Sequence, residues 1–138
     1  MYLLINTTVN DHLLLGLADA KGRVVSWQGK EVGREQAEKL LPFLDQLLRA
    51  QKLKLKNLKG IIVVAGPGGF SSVRLGLALA NTLGYSLKIP VIGLKSSQFP
   101  DLESLFQAGI KKLIGKKSFA FVQPFYGAPP RITKPIKR

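Results

Sequence analysis

Several residue types are scarce or missing in this sequence of 138 residues, and each absence excludes a class of protein. There is no cysteine, which excludes disulfide bonds, thiolate metal sites and cysteine nucleophiles. No apolar run approaches the roughly 20 residues that a membrane-spanning helix needs. The first eight residues, MYLLINTT, contain no basic segment of the kind that opens a secretory signal. We therefore expect a cytoplasmic protein that does not contact a membrane.

Acidic residues are also rare, but only in one part of the chain. Residues 46–138 contain sixteen lysines and arginines and only two acidic residues, whereas residues 1–45 contain five basic and six acidic residues. The second part therefore has a net charge of +14 and the first a net charge of −1, which together give the formal net charge of +13. Such a basic segment is typical of proteins that bind nucleic acid or an acidic partner, but a lysine-rich solvated surface has the same composition. Composition alone leaves both interpretations open.

Hydrophobic periodicity predicts an α/β fold. The predicted strands are residues 1–8, 12–18, 23–28, 60–65, 88–94 and 118–123, and the predicted helices are residues 34–51, 72–86 and 101–113. The first three strands should form an antiparallel meander, and Pro42 should bend or restart the first helix. The order βββ-α-β-α-β-α predicts a mixed sheet with helices packed on it. We expect one domain over residues 1–123 and a proline-rich basic tail over residues 124–138.

One stretch, VAGPGGFSSVRLGLALANTLG at residues 64–84, joins a buried strand to a helix through a glycine-rich loop. It is not a Walker loop, because Ser72 stands where the phosphate-binding lysine belongs. It is not a dinucleotide fingerprint either, because Ser71 stands where the third glycine belongs. Either serine is expected to cap the helix. Arg74 is unfavourable next to the positive end of the helix dipole, so we expect it to hold a carboxylate, a phosphate or a loop carbonyl.

The other polar residues do not assemble a reaction centre. His12, the only histidine, lies in a strand pattern, and Glu35 and Glu38 lie on a solvated helical turn. The sequence has no G-x-S-x-G nucleophile elbow and no His, Asp and Glu cluster at metal-ligand spacing. We expect no catalytic residue, no metal and no cofactor. A small hydrolase or protease would need a nucleophile–base pair that is missing here.

The first two helices contain more apolar residues than packing against a single sheet would bury. The first has a leucine stripe on one face, formed by Leu40, Leu44, Leu47 and Leu48. The second has two sets of residues at four-residue spacing, namely Leu75, Leu79 and Leu83, and Gly76, Ala80 and Gly84. We expect these residues to form a partner interface that a second copy or a paralogue buries in a four-helix bundle. Packing of the small residues on the chain's own sheet is the open alternative.

Three segments together carry a family resemblance: INTT at 5–8, EKLLPFLDQLL at 38–48 and GPGGFSSVRLGLALANTLG at 66–84. They resemble the TsaB (YeaZ) family, the inactive paralogues of the tRNA threonylcarbamoyl transferase TsaD. That family usually reads G-P-G-S-F-T-G-[LV]-R-x-G in the loop. The matching residues here are Gly66, Pro67, Gly68, Phe70, Arg74 and Gly76. With PVIGL at 90–94, the resemblance covers about residues 1–95.

The resemblance implies a single lobe of the actin-like, sugar-kinase type (ribonuclease H-like) fold. It also implies a non-catalytic scaffold that pairs with a TsaD-like subunit through the first two helices and supports threonylcarbamoylation of adenosine 37 in tRNA. A TsaE-like ATPase and a second copy of the chain are further candidate partners. Weak tRNA contacts would come from the connector lysines, Lys52, Lys54, Lys56 and Lys59. The alternative function is a stand-alone RNA-binding module that uses the basic part directly.

Two departures from the family bear on its chemistry. Active relatives hold metal-bound nucleotide at an aspartate of the first strand, and Asn6 stands at that position. A neutral amide lacks the charge that Mg²⁺ requires. The second lobe is also missing, although VQPFYGAPPRITKPIKR resembles the ending of full-length members. We therefore expect an internally shortened form without a closed nucleotide cleft.

Overall fold

The computed structural model describes residues 1–116 and 118–124. The strands are β1 Tyr2–Asn6, β2 His12–Ala18, β3 Val24–Glu31, β4 Gly60–Gly66 and β5 Val91–Lys95. The helices are α1 Gln36–Ala50, α2 Phe70–Leu87 and α3 Leu102–Ile114, with short 3-10 turns at Leu55–Asn57 and Ser96–Gln98. The predicted order of strands and helices is confirmed for these elements.

The five strands form one mixed sheet in the order β3-β2-β1-β4-β5. β2 pairs antiparallel with β1 and β3, which confirms the predicted meander, and β4 pairs in parallel with β1 and β5. In the β2–β3 turn, the Asp19 carboxylate accepts hydrogen bonds from the backbone N–H groups of Lys21 and Arg23 at 2.9 and 3.0 Å. These bonds, the one from Arg23 above all, favour the charged form and lower the pKa of Asp19.

Helices cover both faces of the sheet. α1 and α2 pack on the face that carries Ile5, Leu15 and Val63, and α3 packs on the face that carries Leu4 and Ile62. Residues opposite one another in register, such as Ile5 with Leu15 and Val63, point to the same side of the sheet. Every residue of β4 is buried, because a strand covered on both faces exposes neither set of side chains.

α3 begins at a side-chain cap. Asp101 accepts hydrogen bonds from the hydroxyl of Ser104 at 2.7 Å and from its backbone N–H at 2.8 Å. The second bond satisfies an N–H group that has no partner within the first turn of the helix. Both bonds, the hydroxyl first, favour the carboxylate and lower the pKa of Asp101.

The segment after α3 differs from its prediction. Residues 118–123 form no strand. The backbone N–H and C=O of Val122 instead pair with the side-chain amide of Asn81 at 2.9 and 3.1 Å. The Val122 side chain lies over β5, where Gly93 has no Cβ. A side chain thus supplies the hydrogen bonds that a neighbouring strand would have made, and the predicted sixth strand is wrong.

Two further predictions concern the helix at Pro42 and the tail. α1 is continuous through Pro42, so the helix does not restart there. Residues 125–138 of the predicted tail lie outside the described residues, and the domain boundary at residue 123 stays a prediction.

Candidate functional site

The carboxyl ends of β1 and β4 lie side by side because these strands are parallel neighbours. Open α/β sheets bind ligands at this edge. Gly66 ends β4 at φ +134°, a conformation that favours glycine, and Pro67 follows in a cis peptide. A Cβ added to Gly68 would lie 2.7 Å from the carbonyl oxygen of Thr8. The loop after β4 is therefore pressed against the chain that follows β1, and Gly68 is required for that close approach.

Thr7 connects the end of β1 to α2. Its side chain is almost fully buried, at 1% exposure. Its hydroxyl donates to the carbonyl oxygen of Ser72 at 2.5 Å and accepts from the backbone N–H of Gly76 at 3.1 Å. A Cβ added to Gly76 would lie 2.6 Å from the Thr7 hydroxyl oxygen. Gly76 of the family motif thus makes room for the Thr7 side chain. The sequence did not predict this role of Thr7, whose position in the INTT segment was the only indication of it.

Gln36, the first residue of α1, ties the same region to both helices. Its amide Nε2 donates to the carbonyl oxygen of His12 at 2.6 Å. Its Oε1 accepts from the hydroxyl of Ser72 at 2.9 Å. The start of α1, the start of β2 and the first turn of α2 are therefore held together by one side chain.

α2 begins earlier than predicted, and this changes the roles of its first residues. It starts at Phe70, with Gly69 at the N-cap position and no side-chain cap. The prediction that Ser71 or Ser72 caps the helix is wrong, because both serines already lie inside the first turn. The structure places the guanidinium of Arg74 over the ring of Phe70, 4.8 Å from its centroid. That Arg74 holds an anion stays a prediction.

The side chain of Asn6 is hydrogen-bonded to a residue of its own turn. Its side-chain oxygen accepts hydrogen bonds from the backbone N–H of Thr8 at 2.9 Å and from the Thr8 hydroxyl at 2.7 Å. Within residues 1–116 and 118–124, no three His, Cys, Asp or Glu side chains are placed to share a metal ion. The neutral amide and the loop filled by Thr8 do not fit metal-bound nucleotide, which requires negative ligands and an open cradle.

Most of the predicted partner interface lies in the core. The members buried against the chain's own sheet are Leu40, Leu44, Leu47, Leu48, Gly76, Ala80, Leu83 and Gly84. The expectation that they form an open surface is wrong, because the sheet already covers the apolar face of each helix. The alternative, that the small residues approach the chain's own sheet, is the observed arrangement. Leu75 and Leu79 remain half-buried at the edge of this core.

Several side chains on the outer sides of the two helices remain outside this core. We call them together the α1–α2 surface: Leu41, Leu75, Ala78, Leu79 and Thr82. Leu75 and Leu79 continue the helical stripe that begins at Ser72, which bonds to α1. Leu41 is 60% exposed and lies on the flank of α1 opposite Phe43, whose ring lies 5.9 Å from the ammonium of Lys30 in β3. Leu41 is therefore outside the core that α1 forms with the sheet.

The connector lysines lie at the other end of the sheet from the glycine loop. They follow the last residue of α1 and precede β4, and all four are exposed: Lys52, Lys54, Lys56 and Lys59. Lys52 and Lys54 line a cavity of about 530 Å³ beside the Asp45–Arg49 ion pair. The fold does not bring the lysines and the loop into one site. That the lysines contact tRNA stays a prediction.

Known proteins share this arrangement. Residues 29–109, more than half of the chain, match the family model described as TsaD, tRNA N6-adenosine threonylcarbamoyltransferase. The tRNA threonylcarbamoyladenosine biosynthesis protein TsaB of Buchnera aphidicola subsp. Schizaphis graminum is 32% identical over 94 residues, which are 68% of this chain and 43% of that protein. The TsaB of Bacillus subtilis is 33% identical over 63 residues, 46% of this chain and 28% of that protein.

A solved structure agrees with these sequence relatives. YeaZ from Pseudomonas aeruginosa superimposes with a TM-score of 0.62 at 26% identity, over 68% of this chain and 43% of that one. The mixed sheet with its helices is thus an actin-like lobe, as predicted. The chain belongs to the TsaD family that the model defines, and its resemblance to the TsaB (YeaZ) proteins is confirmed. It spans 43% of the length of the Buchnera protein. No helix among the described residues is long and apolar enough to cross a membrane.

Proposed function

We propose that this chain is a non-catalytic subunit in the biosynthesis of threonylcarbamoyladenosine in tRNA, and that it binds a TsaD-like transferase through the α1–α2 surface. Two of its relatives are named for that biosynthesis, and a Syntrophus aciditrophicus relative, 34% identical over 61 residues, is named as the transferase. The observation that carries the proposal is the set of apolar side chains that the two helices leave outside the core: Leu41 is 60% exposed, and Leu75 and Leu79 are half-buried.

The loop end of the sheet supports a role without catalysis. Thr8 occupies the space in front of Gly68, and Asn6 uses its side-chain oxygen to bind Thr8. Neither group offers the negative charge that a metal-bound nucleotide needs. The proposed mechanism is therefore one of assembly: this chain supplies a preformed helical surface, and the transferase supplies the reacting groups.

The residue types on the α1–α2 surface suit a second pair of helices. Ala78 and Thr82 lie on the outermost ridge of α2 and are exposed, and small residues at such positions allow a neighbouring helix to pack closely. Burial of Leu41 and of the exposed parts of Leu75 and Leu79 would stabilise the complex by roughly 25 cal/mol per Å² of apolar area. A second copy of this chain would bury the same residues, so the homodimer and the complex with the transferase should compete.

The test is an Ala78→Glu variant, which places a charged side chain on the exposed ridge of α2. We expect binding to the TsaD-like protein of the same organism, measured by titration calorimetry, to weaken by at least about tenfold, equivalent to about 1.4 kcal/mol. Circular dichroism and the melting temperature should not change, because residue 78 is exposed. Ala80 is unsuitable for this purpose: it is fully buried, and a glutamate there would place an unpaired charge in the core.

An Ala20→Glu variant is the matched control. It adds the same charge at an exposed position of the β2–β3 turn and should bind as the wild type does. If Ala78→Glu binds as tightly as the control, the transferase does not use this surface. If the folded wild type does not bind the TsaD-like protein at all, the scaffold role is wrong. Light scattering on the same three proteins decides whether the free chain dimerises through the same residues.

A further inference from the structure

Three aromatic side chains form a cluster at the far end of α2, outside the α1–α2 surface. We call it the aromatic platform, and it consists of Tyr85, Phe119 and Phe121. The Tyr85 and Phe121 rings are nearly parallel with centroids 6.5 Å apart, and the Phe119 ring meets both edge-on, at 6.0 and 4.7 Å. Tyr85 is 68% exposed and Phe121 is 67% exposed. Two large aromatic rings thus present most of their surface to solvent while in contact with one another.

The platform is preformed by contacts beneath it. Phe119 packs where Gly84 has no Cβ; a Cβ there would lie 2.7 Å from Phe119 Cδ1. Immediately beyond Phe121, both backbone groups of Val122 are bound by the Asn81 amide. The segment that carries the two phenylalanines is therefore anchored to α2 on either side of Phe121. A ligand that binds such a surface loses little free energy to ordering it.

Lysines flank the platform on two sides. A cavity of about 630 Å³ is lined by Tyr85, Phe119 and Lys88, together with two serines. A second cavity, of about 290 Å³, is lined by Phe121 with Lys112 and Lys116. Among the residues that the structure describes, no acidic side chain lines either cavity. The rings therefore lie between lysines that have no negative neighbour among the described residues of these two cavities.

We propose that the aromatic platform binds single-stranded nucleic acid. A base stacks on the exposed faces of Tyr85 and Phe121, and the phosphates on either side of it contact Lys88 on one side and Lys112 and Lys116 on the other. Aromatic rings combined with a positive groove are the arrangement by which proteins hold single strands without reading their sequence, since every base has a π face. A duplex would offer only its phosphates, because its bases are already stacked.

The charge around the aromatic platform favours nucleic acid over the other molecules that could cover it. Residues 125–138 contain four lysines and arginines and no acidic residue, so this segment has the same sign of charge as the lysines that flank the platform. A second copy docked through the platform would bring the same lysines together, which is also repulsive. Nucleic acid offers both an aromatic face and negative charge. The platform shares no residue with the α1–α2 surface, so it does not depend on the binding of a transferase.

The experiment measures fluorescence anisotropy of a labelled RNA strand of about 12 nucleotides, a length within the range that such surfaces cover, with the full chain at low and physiological salt. We expect Tyr85→Ala to weaken binding about tenfold without changing the slope of log K against log salt, because stacking is lost and phosphate contacts remain. Lys88→Gln should reduce that slope by about 1. Trp27→Ala is the matched control, since it removes another exposed aromatic ring, 55% exposed, from β3, and it should bind as the wild type does.

A second arm leaves the protein unchanged. The same strand with abasic positions keeps its phosphates but cannot stack, so it should bind the wild type about as weakly as the intact strand binds Tyr85→Ala. The proposal is overturned if a duplex of the same sequence binds as tightly as the single strand, or if Tyr85→Ala and abasic sites have no effect. It is also overturned if wild-type chains associate with one another and Tyr85→Ala abolishes that association, because a second copy would then cover the platform.

Discussion

Replacing Thr7 with valine tests whether its buried hydroxyl holds the end of β1 to α2. The two side chains have nearly the same shape, so the change removes two hydrogen bonds and creates no cavity. One bond runs from the hydroxyl to the Ser72 carbonyl oxygen at 2.5 Å, and the other runs from the Gly76 N–H to the hydroxyl at 3.1 Å. Both are shielded from solvent, since Thr7 is 1% exposed.

The size of the stability loss depends on whether the backbone groups of Ser72 and Gly76 find other hydrogen-bond partners. Ser72 and Gly76 are separated by four residues in α2, so their backbone groups can still pair with each other when the hydroxyl is gone. No buried polar atom is then left entirely unsatisfied, and the loss should be that of ordinary hydrogen bonds, about 1–2 kcal/mol in total. With a slope of about 2 kcal/mol per molar urea, the unfolding midpoint should fall by about 0.5–1 M.

Urea unfolding followed by circular dichroism measures this shift. Thr82→Val is the matched control, because Thr82 is an exposed threonine of α2. Its effect on the free energy of unfolding should stay within about 0.5 kcal/mol. The reasoning is refuted if Thr7→Val unfolds at the same urea concentration and with the same slope as the control. A changed slope would point instead to a change in the denatured state.

Two further predictions concern a glycine and a helix cap. Gly76→Ala should destabilise the fold by about 1–3 kcal/mol, because its Cβ would lie 2.6 Å from the Thr7 hydroxyl oxygen. Gly115, at φ −82°, is the comparison: a Cβ added there would meet no atom of the described residues within 4 Å beyond its immediate chain neighbours, so Gly115→Ala should be neutral or stabilising by up to about 1 kcal/mol. Equal effects of the two changes in thermal melts would contradict this reasoning. Hydrogen bonds from Ser104 lower the pKa of Asp101 in the folded chain, so its contribution to stability should be complete above the unfolded pKa of about 3.9 and should disappear as the pH falls through the lower folded value. The melting temperature of the wild type should therefore approach that of Asp101→Asn between about pH 5 and pH 2, and a difference that is constant with pH would show that the carboxylate charge is irrelevant.

The local sequence was sufficient for most of the fold. The continuous apolar run of β4 predicted a strand covered on both faces, because only such a strand has no polar side to present to water. The short connections between the first three strands predicted the meander, since strands joined by such short loops pair antiparallel. Helical spacing located α1, α2 and α3 to within about two residues, and the loop motif indicated the family.

The candidate site was predicted less well, because sequence spacing does not identify which distant residues a side chain will contact. The spacing of Gly76, Ala80 and Gly84 showed that something approaches α2 closely, but periodicity does not say whether that neighbour belongs to the same chain. The structure shows that Thr7 and Val91 are the neighbours of the two glycines. Likewise, Ser72 has the residue type of a helix cap, but its hydroxyl binds Gln36, which is 36 positions away in the sequence.

Residue type and neighbours within a few positions were enough to predict the five observed strands, the three helices and their order, and the lack of cysteine excluded thiol chemistry. Only the tertiary structure decided which leucines of α1 are core and which are surface, that Thr8 fills the loop in front of Gly68, and that Tyr85 meets Phe119 and Phe121. These contacts join residues that are tens of positions apart. They arise when the apolar faces of separate elements are buried together, and no local pattern in the chain specifies which distant side chains will then be adjacent.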